Sequence, residues 1–175
     1  MEREQVLQII ESARSTGGTP DLRRVDLHNA QLSGINLEGV DLRYANLSQA
    51  NLDGINLDGA NLTGANLHGT NLTNSTLQGA NLLGANLAEA NLENVNLLEA
   101  NLCNADLSKT NLRQAKLVES TLRGAGLVVA NLHEGNLEGA NLIKADLSGA
   151  TVTDEQLSKT KSLKGAIMPD GTKHD

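Results

Sequence analysis

Leucine stands at every fifth position from Leu22 to Leu147, 26 times in a row. A helix turns about 100° per residue, so a five-residue step leaves each leucine about 140° from the last and scatters the set around the cylinder. A continuous strand fares no better, because five is odd and successive leucines would point to opposite faces of a sheet. One long helix and one flat strand are both excluded. What remains is a chain that turns once per unit, so that every leucine is re-aimed toward a common axis: a solenoid.

The rest of the unit agrees with this. The residue two before each leucine is small at most steps, as at Ala45, Ala50, Ala60 and Ala65, and the residue just before it is Asn at sixteen steps. The residue two after is Gly at eleven steps, among them Gly34, Gly59 and Gly84, and Asn at Asn29, Asn74, Asn94 and Asn104. These two residue types best accept a positive φ in a turn. From Glu89 to Glu119 glycine is absent there, replaced by Glu89, Asn94, Glu99, Asn104, Lys109, Gln114 and Glu119, which predicts a second turn geometry in that stretch. The number of units per coil stays open: the larger inward residues Ile35, Ile55 and Val95 are spaced by multiples of twenty, but Val25, Val40 and Ile55 are spaced by fifteen.

Tandem Ala-Asn-Leu-x-x units resemble the pentapeptide repeat family, and the likeness covers residues 21–150. The resemblance implies an all-β fold, a right-handed quadrilateral β-helix in which four units make one coil, with short helical caps. The closing segment, Leu163 to Thr172, is similar to the ends of many cyanobacterial members. Four units per coil give about 6.5 coils and, at about 4.8 Å between neighbouring strands, a rod about 31 Å long. Stacked coils leave an open strand edge at each end, so both ends need covers. Residues 1–19 are read as a capping helix with its linker, 20–152 as the repeat, and 153–175 as a C-terminal cap and tail. The first helix carries Val6, Ile9, Ile10 and Ala13 on one face; Thr153 and Gln156 have the spacing of a capping box opening a second helix.

Composition narrows the function. The formal net charge is −7, apolar runs are only a few residues long, no apolar signal region opens the chain, and Cys103 is the lone cysteine. These features argue for a cytoplasmic chain without membrane span or disulfide. No Lys or Arg occurs in the 65 residues between Arg43 and Lys109, which disfavours direct nucleic-acid binding through the middle of the rod.

Catalytic chemistry is not legible. On the four-unit arrangement His28 and His68 lie about two coils, or 9–10 Å, apart, too far to share one ion. Cys103 follows a core leucine and points outward with Leu83 and Arg123 as its neighbours, so it lacks a base. The recurring Asn residues serve turns and ladders, and the glycines keep the five-residue beat rather than opening a phosphate loop. No catalytic, cofactor-binding or metal residues are assigned, and no cofactor is expected.

The sequence therefore points to a non-enzymatic protein-interaction or scaffold solenoid with an unidentified protein partner. The candidate partner surface is Leu83, Leu98, Cys103 and Val118, larger apolar residues at positions where the repeat is otherwise polar; Val128 and Ile143 are further exceptions. Self-association into a homodimer through that strip is the companion expectation. An alternative comes from the family, since some relatives bind DNA gyrase as DNA mimics. Duplex DNA of about 31 Å carries about 18 phosphates, whereas residues 21–150 carry 14 acids against 8 bases. Gyrase-directed relatives also often use Phe at central positions and carry projecting loops, and this chain has no Phe.

Overall fold

The computed structural model describes residues 1–175. Each five-residue unit supplies one backbone bridge and one turn. Asp21 pairs in parallel with Asp41, Asp26 with Asn46, Gln31 with Asn51 and Asn36 with Asn56, and this twenty-residue offset continues to Asn131 with Thr151. Four units complete one coil, which decides between the spacings of twenty and fifteen. The chain turns again after each bridge, so no long strand develops and the molecule is a β-helix-like solenoid of short rungs. Its four sides are numbered here by their leucines: side 1 holds Leu22 to Leu142, side 2 Leu27 to Leu147, side 3 Leu32 to Leu132, and side 4 Leu37 to Leu137.

The hydrogen bonds of one unit show why the pattern propagates. Ala30 N–H donates to Leu27 O at 3.0 Å and closes the turn, while Leu27 N–H and Asn29 N–H donate to Asn46 O and Ser48 O of the next coil at 2.7 and 3.0 Å. Asn46 N–H in turn donates back to Val25 O at 2.9 Å, so the backbone polar groups of stacked coils satisfy one another. At several units the side chain before the leucine also ties one coil to the preceding one. Asn46 Nδ2 donates to Asp26 Oδ1, and Asn66 Nδ2 to Asn46 Oδ1, at 2.9 and 3.1 Å.

All 26 leucines are buried, together with most of the small residues two positions before them, in one core cluster of 48 residues. Four units place Thr70, Ser75, Thr110 and Ser120 inside instead of alanine. Each hydroxyl donates to a backbone carbonyl at 2.6–2.9 Å, so none is left unpaired.

The expected second turn geometry between Glu89 and Glu119 does not occur. The corner residue has positive φ in every unit, from 54° to 62° at Glu89 through Glu119 and 63° at Gly64, Gly79 and Gly84. The turn is type II-like throughout, because the coils above and below hold each corner amide to a carbonyl, as Glu89 N–H to Ser108 O at 3.0 Å. That stacking overrides the residue's own preference.

The helix α1, Arg3–Ser15, lies over the first coil and buries Val6 and Ile10 in the core cluster. Carbonyls that would accept from a preceding coil find donors here. Met1 N donates to Asp26 O at 2.9 Å, Arg3 Nη1 to Ser33 O at 3.0 Å, and Arg14 Nη2 to Glu38 O at 3.3 Å. At the other end α2, Asp154–Ser158, opens with a reciprocal capping box: Gln156 N–H donates to Thr153 Oγ1, and Thr153 N–H to Gln156 Oε1. Gln156 also donates from Nε2 to Leu132 O and Gly135 O at 2.7 and 2.8 Å. One side chain thus starts the helix and ties it to the coil beneath.

Backbone pairing runs past residue 152. After α2, Asn141 pairs with Ser162 and Asp146 with Ile167, an offset of 21 that absorbs the extra residue of the helical insertion. Ile167 then pairs antiparallel with Lys173, folding the tail back along the last rung. No helix is long and apolar enough to cross a membrane.

Candidate functional site

The twenty-residue register determines which outward residues meet. Leu83, Cys103, Arg123 and Ile143 follow one another on side 1, and Leu98 and Val118 are successive on side 4, the side that precedes it along the chain. Leu83 is exposed, at 39%, whereas Leu98, Cys103, Val118, Val128 and Ile143 are half-buried against their stacked neighbours. Backbone bonds fix this order: Gly84 N–H donates to Cys103 O and Gly124 N–H to Ile143 O, both at 2.9 Å. Leu83 with Cys103, and Leu98 with Val118, are therefore one rung apart, which at about 4.8 Å brings side chains of this size into contact range.

Two exposed residues escaped the sequence reading. Val129 is 57% exposed at φ 59°, and Tyr44 is 58% exposed at φ 60°. The signal for Val129 was present, since it is the sole β-branched residue among the 26 corner positions. Positive φ in a β-branched residue is a genuine outlier, costing on the order of 1–3 kcal/mol. Tyr44 lies under the Arg24 guanidinium, 5.6 Å from the ring centroid, and spreads across the Gly64 corner.

Titratable side chains form pairs along the stack. Arg23 Nη2 meets Asp21 Oδ2 at 2.6 Å, Arg43 Nη2 meets Asp41 Oδ2 at 2.6 Å, and Arg23 Nε reaches Asp41 at 3.6 Å. The hydrogen bond from Arg43 holds the Asp41 carboxyl below its ordinary range, and that from Arg23 does the same for Asp21. In the middle of the rod Lys109 Nζ meets Glu89 at 3.2 Å, while Glu134 accepts from Gln114 at 2.8 Å and lies 3.4 Å from His133 Nε2. His28 Nδ1 is taken up by Ser48 O at 2.9 Å and His68 stands 4.0 Å from Glu89. No group of three His, Cys, Asp or Glu residues converges on a point that would hold a metal ion.

Cys103 lies with Asn104, Arg123, Gly124, Ile143 and Lys144 around a shallow concavity of side 1. Arg123 and Lys144 are the cationic residues there, and no histidine or carboxylate lines the concavity to serve as a base. The arrangement can present an apolar strip and a row of cations; it does not assemble a nucleophile with a base.

The family profile described as pentapeptide repeats matches residues 21–59, 55–94, 85–124 and 128–160, in eight copies. No curated protein matches the chain. Among solved structures, HetL, a pentapeptide repeat protein involved in heterocyst differentiation regulation from the cyanobacterium Nostoc sp. strain PCC 7120, is 30% identical over 99% of this chain and 100% of its own, with a TM-score of 0.31. The pentapeptide repeat protein Rfr23 of the cyanobacterium Cyanothece 51142 is 27% identical over 86% of this chain and 99% of its own, with a TM-score of 0.35. QnrB1, a plasmid-mediated fluoroquinolone resistance protein, is 17% identical over 86% of this chain and 89% of its own, with a TM-score of 0.49. With the profile matched over most of the length, each leucine inward and each bridge one unit from the last, the chain belongs to the pentapeptide repeat family.

Proposed function

We propose that this chain is a non-enzymatic scaffold, a right-handed quadrilateral rod that holds a protein partner against the strip formed by Leu83, Leu98, Cys103 and Val118. The observation that carries the reading is the register: residues scattered over 36 positions of sequence fall on two adjoining sides, one rung apart. An apolar strip on a rigid surface gains from being covered, by about 25 cal/mol for each Å² removed from water. Right-handed winding is supported by the sterics that make nearly all crossovers between parallel strands right-handed. A cytoplasmic setting fits the free thiol of Cys103 in a chain without disulfides.

Self-association into a homodimer through the same strip belongs to this reading. Replacing Leu83 and Leu98 with Ser leaves the melting transition intact and weakens partner capture or self-association at least about fivefold. Unchanged sedimentation together with unchanged capture would remove the strip from the account.

The DNA-mimic reading has less to support it. Of the acids on the rod, Asp21, Asp41, Glu89, Glu93 and Glu134 already face basic side chains, so the charge offered to a DNA-binding surface is thinner than the composition suggests. Inhibition of gyrase supercoiling at micromolar protein would reverse this preference.

A further inference from the structure

We propose that the C-terminal half of side 1 is a docking groove for an extended, acidic protein segment that carries apolar side chains. The proposal rests on the scaffold reading and gives it a partner chemistry. Two concavities, of about 260 and 480 Å³, share Ile143 and Lys144 and so adjoin along side 1, from Cys103 to the tail. Arg123, Lys144, Lys164 and Lys173 line them. None of these four takes part in any of the ion pairs of the molecule. Asp175 is the one acidic residue among the lining residues.

The cations are brought together by the fold rather than by sequence proximity. Lys144 N–H donates to Lys164 O at 3.0 Å, which places Lys164 on the rung above Ile143 in spite of the helical insertion between them. The antiparallel return of the tail then sets Lys173 beside the same rung. Lys144 and Lys173 both reach the Gly165 corner: a Cβ built there would lie 3.5 Å from Lys144 Cγ and 4.0 Å from Lys173 Cε. Gly165, at φ 71°, keeps this part of the floor low.

Charge complementarity selects the occupant. The protein as a whole has a net charge of −7, so an acidic partner is repelled by most of its surface and attracted here. Cys103 and Ile143 supply apolar contact between the cations, which a polyphosphate backbone could not use. Nucleic acid is disfavoured further because no Phe, Tyr or Trp stands at the groove to act as a stacking platform: Tyr44 is three coils from Asn104, and His174 is the one ring among the lining residues. The groove spans about four rungs, roughly 19 Å, the length of about six extended residues.

The test uses the full chain and a labelled peptide of about eight residues built from Glu and Leu, followed by fluorescence anisotropy at low salt. The parent is expected to bind it saturably, and Lys144→Glu with Lys164→Glu to weaken binding at least about tenfold with an unchanged melting transition. Lys109→Glu with Lys159→Glu, an equal charge change elsewhere, is the control and retains most of the binding. Absence of binding by the parent, equal binding by the two variants, or misfolding of both with no loss specific to the groove overturns the proposal. So does equal binding of an oligothymidylate or of an all-Glu peptide, the first moving the site to nucleic acid and the second removing the apolar contacts. Because Leu83 and Leu98 are intact in these variants, failure here is distinguishable from failure of the scaffold reading.

Discussion

The corners from Gly54 to Gly84 and those from Glu89 to Glu119 have the same backbone but opposite residue preferences. In the first stretch glycine occupies most corners at φ 63–64°; in the second Glu, Asn, Lys and Gln occupy all of them at φ 54–62°. A residue with a Cβ loses about 1–2 kcal/mol in that conformation. The glycine-free corners keep it because each is held by a hydrogen bond to the coil above, as Glu99 N–H to Val118 O at 3.0 Å, and some of their side chains also find a partner on the neighbouring rung. Lys109 meets Glu89 at 3.2 Å, and Asn94 Nδ2 donates to Asn74 Oδ1 at 3.3 Å. Local preference is a weak force where every neighbour repeats the same geometry.

If the stack governs both stretches, breaking it should unfold either one. Leu67→Asp in the glycine-cornered stretch and Leu107→Asp in the glycine-free stretch each place a carboxylate among fully buried leucines. Each is expected to cost more than about 4 kcal/mol, whereas Ser48→Asp on the outer surface shifts the melting temperature little. Thermal melts of the three variants test this, and a tolerant response in one stretch alone would show that the two are not held by the same core.

Corner substitutions sharpen the comparison at smaller scale. Gly79 and Glu99 are corners on the same side in successive coils, and a Cβ at Gly79 would meet nothing within 4 Å. Gly79→Ala should therefore destabilise by about 1 kcal/mol through φ alone, and Glu99→Gly should recover somewhat less, because the added glycine also loosens the unfolded chain. Val129→Gly should gain most, about 1–2 kcal/mol, since it removes a β-branched residue from positive φ. Denaturant midpoints measure all three, and a loss at Val129→Gly would mean that its exposed side chain contributes more contact than its backbone costs.

The smallest effect is expected at the paired start of the rod, which lies outside both stretches. The carboxyl of Asp41 is depressed by Arg43, so its contribution is present above the ordinary carboxylate range near pH 4 and is lost as the pH falls toward the folded value. The parent should lose melting temperature below about pH 4 by a few degrees more than Asp41→Asn, and the two profiles should run parallel above about pH 5. Divergence at neutral pH instead would assign Asp41 a packing role.

Much of this protein was legible because its information is periodic. Leu22 to Leu147 identify the inward position, the small residues before them the second inward position, and the Gly and Asn corners the turn, since each of these depends on a residue's own conformation and polarity. Thr153 and Gln156 announced α2 for the same reason. Leu83, Leu98, Cys103 and Val118 could be singled out as apolar departures from the repeat, but their exposure depends on the rungs stacked above and below them.

Tertiary structure alone decided whatever depends on closing the coil. The spacing of inward Val and Ile residues left fifteen and twenty open, and the bridges chose twenty because a coil must meet its own backbone one rung later. Stacking also made one turn geometry serve Gly79 and Glu99 alike. Lys144, Lys164 and Lys173 met only after α2 shifted the register to 21 and the tail turned back on itself. The sequence by itself determined the five-residue unit and what it buries, because those are local properties; which units touch is a property of the closed stack, and no single unit contains it.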